Sequence, residues 1–190
     1  MRKRNPGEKG KTLEFSSEWT GNPEPIAALF TATFTASEGP AEGALIGALA
    51  HRLITTTPSR DLRVVCARQD GVLVGAIVLS RLAYDNDNRL VFLLAPVAVS
   101  AEWQGKMVGQ SLIAHGIEVL RREGVEIVVT YGDPKFYRRV GFVPIRQADV
   151  PAPFDLQHPE GWQGRSLNGA PLLLKGPARC VEAFDDPTFW

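Results

Sequence analysis

Residues 90–99 form an almost unbroken apolar run that leads through a glycine-bearing turn into a helix. A strand of that composition belongs in the middle of a sheet with both faces covered, because only there does every side chain escape water. The segment Val97-Ala98-Val99-Ser100-Ala101-Glu102-Trp103-Gln104-Gly105-Lys106-Met107-Val108-Gly109-Gln110 thus reads as strand end, turn, loop and helix start. Such a loop directs several backbone N–H groups at one point. That point lies at the positive end of a helix dipole, where a phosphate is stabilised.

The flanking pattern builds a mixed α/β chain around this strand. Residues 11–16 predict a short first strand, and residues 24–35 a helix with Ile26, Leu29, Phe30 and Phe34 on one side. A second helix over residues 41–55 uses Leu45, Ile46, Leu49, Leu53 and Ile54, and stops before Pro58. Strands over 62–68 and 72–81 are joined at Gln69-Asp70-Gly71, a hairpin signal. After the loop, Leu112, Ile113, Ile117 and Leu120 stripe a helix that ends at Gly124. A strand over 125–131 follows, then a short helix capped by Asp133 with Pro134 in its first turn. Residues 142–147 and 171–175 are expected to pair as closing strands around a Pro/Gly/His-containing insertion. The expectation is one domain over residues 12–190. Residues 1–11 form a flexible basic arm, and 148–190 a Pro-rich part that adds a closing strand.

Composition narrows the function classes. Lys plus Arg and Asp plus Glu both number 21, so the molecule as a whole has no electrostatic preference for nucleic acid. Arg2, Lys3, Arg4, Lys9 and Lys11 in the arm are read as a solvated terminus. The two cysteines, Cys66 and Cys180, fit no metal or redox spacing and read as free thiols in a reducing compartment. No run is long enough to span a membrane, and no leader pattern opens the chain, so a cytoplasmic location is expected. His51, His115 and His158 lack metal-ligand spacing, and Ser100 and Ser111 lie in no nucleophile elbow.

Gln104-x-x-Met107-x-Gly109 resembles the Q/R-x-x-G-x-G/A loop of the GNAT superfamily, the acyl-CoA-dependent N-acetyltransferases. Val97-Ala98-Val99 looks like that family's fourth strand. Tyr137-x-x-x-Gly141-Phe142 is similar to its later Y-x-x-x-G-F segment, and Gly132-Asp133-Pro134 resembles a bacterial branch of mostly unassigned substrate. The resemblance covers residues 12–147, with strand, loop, helix, strand and helix in the family's order. It implies a central mixed, mostly antiparallel sheet flanked by helices, and acetyl-CoA as acyl donor with no metal.

The resemblance also assigns roles. Val97, Ala98 and Val99 would pair with the cofactor's amide-rich arm. Gln104, Gly105, Lys106, Met107, Val108, Gly109 and Gln110 would receive its pyrophosphate. Tyr137 would protonate the departing thiolate, since a phenol with an unperturbed pKa of about 10 is a proton donor at neutral pH. Met107 stands where the family has its first glycine, so the loop is expected to be ordinary helical backbone there, with the side chain turned away. No strand carboxylate offers a general base, because Leu93, Leu94, Ala95 and Pro96 fill that neighbourhood. Direct transfer to an amine needs mainly positioning.

The leading expectation is an N-acetyltransferase acting on a small-molecule or protein amine. The alternative is a non-catalytic acyl-CoA-binding module on the same fold. An exposed sheet edge or the tail is compatible with a homodimer.

Overall fold

The computed structural model describes residues 12–17, 19 and 21–190. The basic arm expected over 1–11 lies outside them. The chain runs β1 (Leu13–Ser16), α1 (Glu24–Glu38), α2 (Pro40–Thr56), β2 (Leu62–Gln69), β3 (Val72–Tyr84), β4 (Asp87–Val99), α3 (Val108–Arg122) and β5 (Ile127–Tyr131). Then follow α4 (Pro134–Tyr137), β6 (Val143–Pro144), β7 (Trp162–Ser166) and β8 (Ala178–Arg179). The sheet order is β1-β2-β3-β4-β5-β7-β6, with β8 on β3. Every pairing is antiparallel except β4 with β5. The expected open, mostly antiparallel mixed sheet flanked by helices is the fold found.

Strand alternation divides the core in two. Val64, Val78, Leu82, Val91, Leu93, Ile127 and Val129 face the α1–α2 hairpin, together with Trp162, Phe184 and Trp190 from the C-terminal part. Their neighbours Val65, Ile77, Leu79, Phe92, Leu94 and Val128 face α3, against Leu112, Ile113, Ile117 and Leu120. β4 lies between β3 and β5, so its apolar run serves both layers. Asp70 and Gly71, at φ 51° and 82°, make the β2–β3 turn that the Asp-Gly pair predicts.

The pairing of β4 changes along its length. β5 matches it only from Val91↔Ile127 to Leu94↔Thr130. β3 stays paired, but its register jumps from Leu79↔Leu94 to Ile77↔Val97. One extra residue therefore sits on β4 at Ala95 and Pro96. A bulge of this kind bends its strand, and Pro96 has no N–H for a ladder. Beyond Leu94, β4 and β5 part, and among the described residues the β5-facing edge of Val97, Ala98 and Val99 has no strand beside it.

The closing strands differ from the sequence reading. β6 pairs with β7, which lies within the stretch read as an insertion, and β7 sits between β5 and β6. Residues 171–175 form no strand. Their backbone is tied instead by Arg89, whose guanidinium donates to the carbonyls of Pro171 and Leu173. β7 was hidden because its inward Gln163 is polar. Its amide donates to the carbonyls of Gly132 and Gly161, which satisfies the group inside the core. The helices also extend further than expected, with Gly39 at φ 100° the only break between Glu38 and Pro40.

The α1–α2 hairpin packs through glycine. A Cβ at Gly43 would lie 1.9 Å from Thr35 Oγ1, 2.7 Å from the Thr31 carbonyl oxygen and 2.8 Å from the Thr35 nitrogen. Two of those atoms are backbone, so the helices must separate to admit a methyl group. Gly43→Ala is expected to lose about 2 kcal/mol despite alanine's better helix propensity, lowering Tm by about 5 °C in a thermal melt.

Candidate active site

The parted strands open a cleft of about 900 Å³. Its walls come from both faces of the sheet. Leu93 and Tyr131 belong to the hairpin side, while Phe136 and Tyr137 belong to the α3 side. The cleft therefore passes through the gap between β4 and β5. Val97 reaches it from the free strand edge, and Phe184, Phe189 and Trp190 from the C-terminal part.

At one end of this gap lies the loop before α3. Gln104 donates its side-chain amide to the Val99 carbonyl at 3.0 Å, tying the loop to the strand end. Lys106 places its ammonium 5.0 Å from the centre of the Trp103 ring, an exposed cation–π pair. Val108 is buried in the α3-side core, so it offers the site only its backbone. The first α-helical bond of this turn runs from Ser111 N–H to the Met107 carbonyl at 3.0 Å, and no side chain caps the helix. Val108, Gly109 and Gln110 thus present N–H groups without an intrahelical acceptor, the arrangement that suits an anion.

Gly109 is where the loop meets the cleft. A Cβ there would lie 3.3 Å from Phe136 Cζ and 3.5 Å from Val99 Cγ2. Phe136 in turn packs edge-on against Tyr137 at 5.0 Å. The strand edge, the helix start and the tyrosine, three segments far apart in sequence, meet around this one aromatic ring.

Met107 corrects the expectation of ordinary helical backbone. It lies in the left-handed region at φ 62° and ψ 9°, and its side chain is 68% exposed. The side chain does turn away from the loop interior, as expected. The conformation is nevertheless the one that favours glycine, and a residue with a Cβ is strained there by about 1–2 kcal/mol.

Tyr137 is buried, with its ring between Phe136 and Phe142. Gly132 leaves room for it, since a Cβ there would lie 2.9 Å from Tyr137 Cε2. Burial pushes the phenol above its ordinary value near 10, the Thr130 side chain pulls it partly back, and the Asp133 charge adds to the rise. Tyr137 therefore holds its proton throughout the neutral range. Asp133 caps α4 as expected, its carboxylate accepting from Lys135 N–H at 2.9 Å.

The sequence reading missed several lining residues. Glu38 and Glu42 reach the cleft from the α1–α2 junction, and Glu160 from the segment before β7. With Asp133 they give the lining four carboxylates, while none of its residues is Lys or Arg. Periodicity places Glu42 on the second helix but stops the first short of Glu38, and the tight hairpin alone turns both toward the gap. Among the described residues no group of three or more His, Cys, Asp or Glu could hold a metal ion. Nor is any described helix long and apolar enough to cross a membrane.

The strain at Met107 yields a direct expectation. Met107→Gly relieves the left-handed backbone but adds freedom to the unfolded chain, for a net gain of about 0.5–1 kcal/mol. A thermal melt should show Tm rising by about 2 °C.

The family model for the acetyltransferase (GNAT) domain matches residues 60–144. The uncharacterised N-acetyltransferase YjhQ of Escherichia coli K12 is 35% identical over 139 residues, 70% of this chain and 77% of that protein. In structure the chain resembles the GNAT N-acetyltransferase YhbS from Escherichia coli in complex with CoA. The TM-score is 0.77 at 22% identity, over 94% of this chain and 95% of that one. It also resembles a GNAT acetyltransferase from Brucella melitensis in complex with acetyl-CoA, with a TM-score of 0.72 at 22% identity over 93% and 100% of the two chains. The parted β4 and β5, the uncapped helix behind the loop and the relation to YjhQ lead to one assignment: this chain belongs to the GNAT superfamily of N-acetyltransferases.

Proposed function

We propose that the protein transfers an acetyl group from acetyl-CoA directly to a primary amine, with Tyr137 as proton donor to the leaving sulfur. The observation that carries this reading is the cleft through the sheet, which Val97 and Tyr137 line together. The residues fit the donor. N–H groups of Val108, Gly109 and Gln110 face outward at an uncapped helix start, and Lys106 adds positive charge for a pyrophosphate. Gln104, Gly105 and Met107 shape that loop, while the free edge of Val97, Ala98 and Val99 can pair with an amide-bearing arm as with an added strand. Acetyl-CoA supplies, when bound, the activated acetyl group.

The chain's own contribution is positioning and one proton. Tyr137 sits at the gap with its Oη protonated, ready to neutralise a departing thiolate. The aromatic walls exclude water from the point of transfer. The carboxylates of Glu38, Glu42, Asp133 and Glu160 set a negative potential in the acceptor half of the cleft, which attracts a cationic amine and repels an anionic substrate. The CoA complex of YhbS and the acetyl-CoA complex of the Brucella melitensis acetyltransferase support this choice of donor. They leave the acceptor to the chemistry of the cleft.

Millimolar acetyl-CoA should raise Tm by mass action, and a panel of primary amines should release free thiol. A raised Tm with no thiol release for any amine would leave only the acyl-CoA-binding module. Tyr137→Phe should keep the Tm shift and lower kcat by about a hundredfold. Because burial raises the phenol's pKa, the proton donor stays loaded as pH rises. The wild-type kcat should then show no alkaline decline below about pH 10, whereas an ordinary exposed phenol would begin to lose activity there.

The acidic lining gives a separate expectation. A charge pair at about 4 Å in a watery cleft is worth about 1 kcal/mol, close to fivefold in affinity. Glu38→Gln with Glu42→Gln should raise KM for a cationic acceptor at least fivefold, less so at high salt, with acetyl-CoA binding unmoved. Equal KM values for the variant and the wild type at low salt would refute the electrostatic role.

A further inference from the structure

The hairpin side of the cleft has an apolar wall and a charged rim. Phe34 lines it from α1 and Phe189 from the C-terminal part, and both are partly buried. Each of these rings is braced by a buried phenylalanine. Phe30, with no exposure, stacks on Phe34 at 6.5 Å, and Phe184, 3% exposed, meets Phe189 edge-on at 5.9 Å. Arg52, which is no part of the lining, holds the C-terminal segment from behind. Its guanidinium lies 5.9 Å from the centre of the Phe189 ring and donates to the Ala183 carbonyl at 2.7 Å. Trp190 is buried in the same wall, and its indole N–H is satisfied by the Phe184 carbonyl at 3.0 Å.

The carboxylates of the lining are placed differently. Glu38, Asp133 and Glu160 are exposed and Glu42 is partly buried, which sets them at the rim. Asp133 is already committed to the α4 cap, and Glu160 lies 3.6 Å from the His158 imidazole. An exposed carboxylate steers a cation from a distance, but water screens it, so it adds at most about fivefold to affinity. Burying a phenyl-sized group against an apolar wall adds about tenfold or more. The wall therefore discriminates among acceptors more strongly than the rim does.

We propose that the acceptor is a primary amine carrying an aryl group, with Phe34 and Phe189 as the residues that select it. The inference rests on the acetyl-transfer reading given above. In that reading the amine has to reach the gap where Val97 and Tyr137 meet, so the rest of the acceptor lies along the hairpin-side wall. There its ring packs edge-on or offset against Phe34 and Phe189, the arrangements that aromatic pairs prefer. Both side chains are already held by their buried neighbours, so little freedom is lost when the acceptor binds. A hydrophilic amine leaves the same two rings against water and gains only what the rim contributes.

The test offers the full chain three acceptors: ethylamine, 2-phenylethylamine, which adds an aryl group, and 1,5-diaminopentane, which adds a second charge. With acetyl-CoA as donor, kcat/KM for 2-phenylethylamine should exceed that for each of the other two by at least about tenfold. Phe34→Ala and Phe189→Ala should each cut the preference for 2-phenylethylamine over ethylamine by about fivefold, and Phe189→Leu by less. Equal kcat/KM for ethylamine and 2-phenylethylamine, or a preference for the diamine, overturns the proposal. That comparison needs only the wild type, so it decides even where a variant does not fold. A preference that survives both alanine variants undiminished overturns the assignment to these two rings. Calorimetric titration of the same amines into ligand-free protein separates this inference from the reading beneath it. If no amine releases thiol, the transfer reading falls. A Kd about tenfold or more tighter for 2-phenylethylamine than for ethylamine would still support the aromatic subsite, and equal Kd values would overturn it.

Discussion

The parting of β4 from β5 after Leu94↔Thr130 is the constraint on which the site depends. A parallel pair that continued would bury the edge of Val97, Ala98 and Val99 and close the cleft. The extra residue at Ala95 and Pro96 bends β4 away while β3 keeps it within the sheet. The strand thus remains anchored on one side and exposes ladder groups on the other. Inside a protein such groups seek a partner, and an unpaired edge is a template for one. The opening is a feature of the strands themselves, set within the sheet that carries both core layers.

What surrounds the opening follows from the two-layer core. α3 must lie on one face because its apolar stripe matches Ile77, Leu79 and Leu94. Its start is then carried to the end of β4, where Gly109 packs beside Val99 and Phe136. The hairpin of α1 and α2 covers the other face, and the glycines at its crossing bring the helices close enough to hold Glu38 and Glu42 over the cleft. The C-terminal part completes that wall. Arg52 of α2 donates to the Ala183 carbonyl at 2.7 Å, and Trp190 packs against Trp162 and Phe184. One wall of the cleft is thus built from a strand edge, and the other from helix ends and C-terminal aromatics.

Much of this architecture was legible from residue pattern. Period-two and period-3.6 runs place β2 to β5 and α1 to α3, and Asp-Gly marks its hairpin. The cap at Asp133 follows from Pro134 beside it. β7 was not legible, because Gln163 is a buried polar residue satisfied by backbone carbonyls, and patterning reads such a residue as surface. The stretch over 171–175 misled in the opposite direction. Its leucines look like a strand, yet Leu173 is half exposed and Leu174 packs into the core from a loop held by Arg89. Met107 was seen as a departure from glycine, but a loop's dihedral angles depend on where both its ends are fixed.

The amino-acid sequence by itself determined most of the element types, the resemblance to the family and the segments that hold the glycine-bearing loop and Tyr137, because these rest on local periodicity and on motifs a few residues long. The tertiary structure alone decided that β4 and β5 separate, that Thr130 ties to the Leu94 carbonyl at the rung where they part, and that four carboxylates converge on one cleft. Each of those is a meeting of residues distant in the chain. Its geometry comes from how strands pair and layers pack, and no local pattern encodes it.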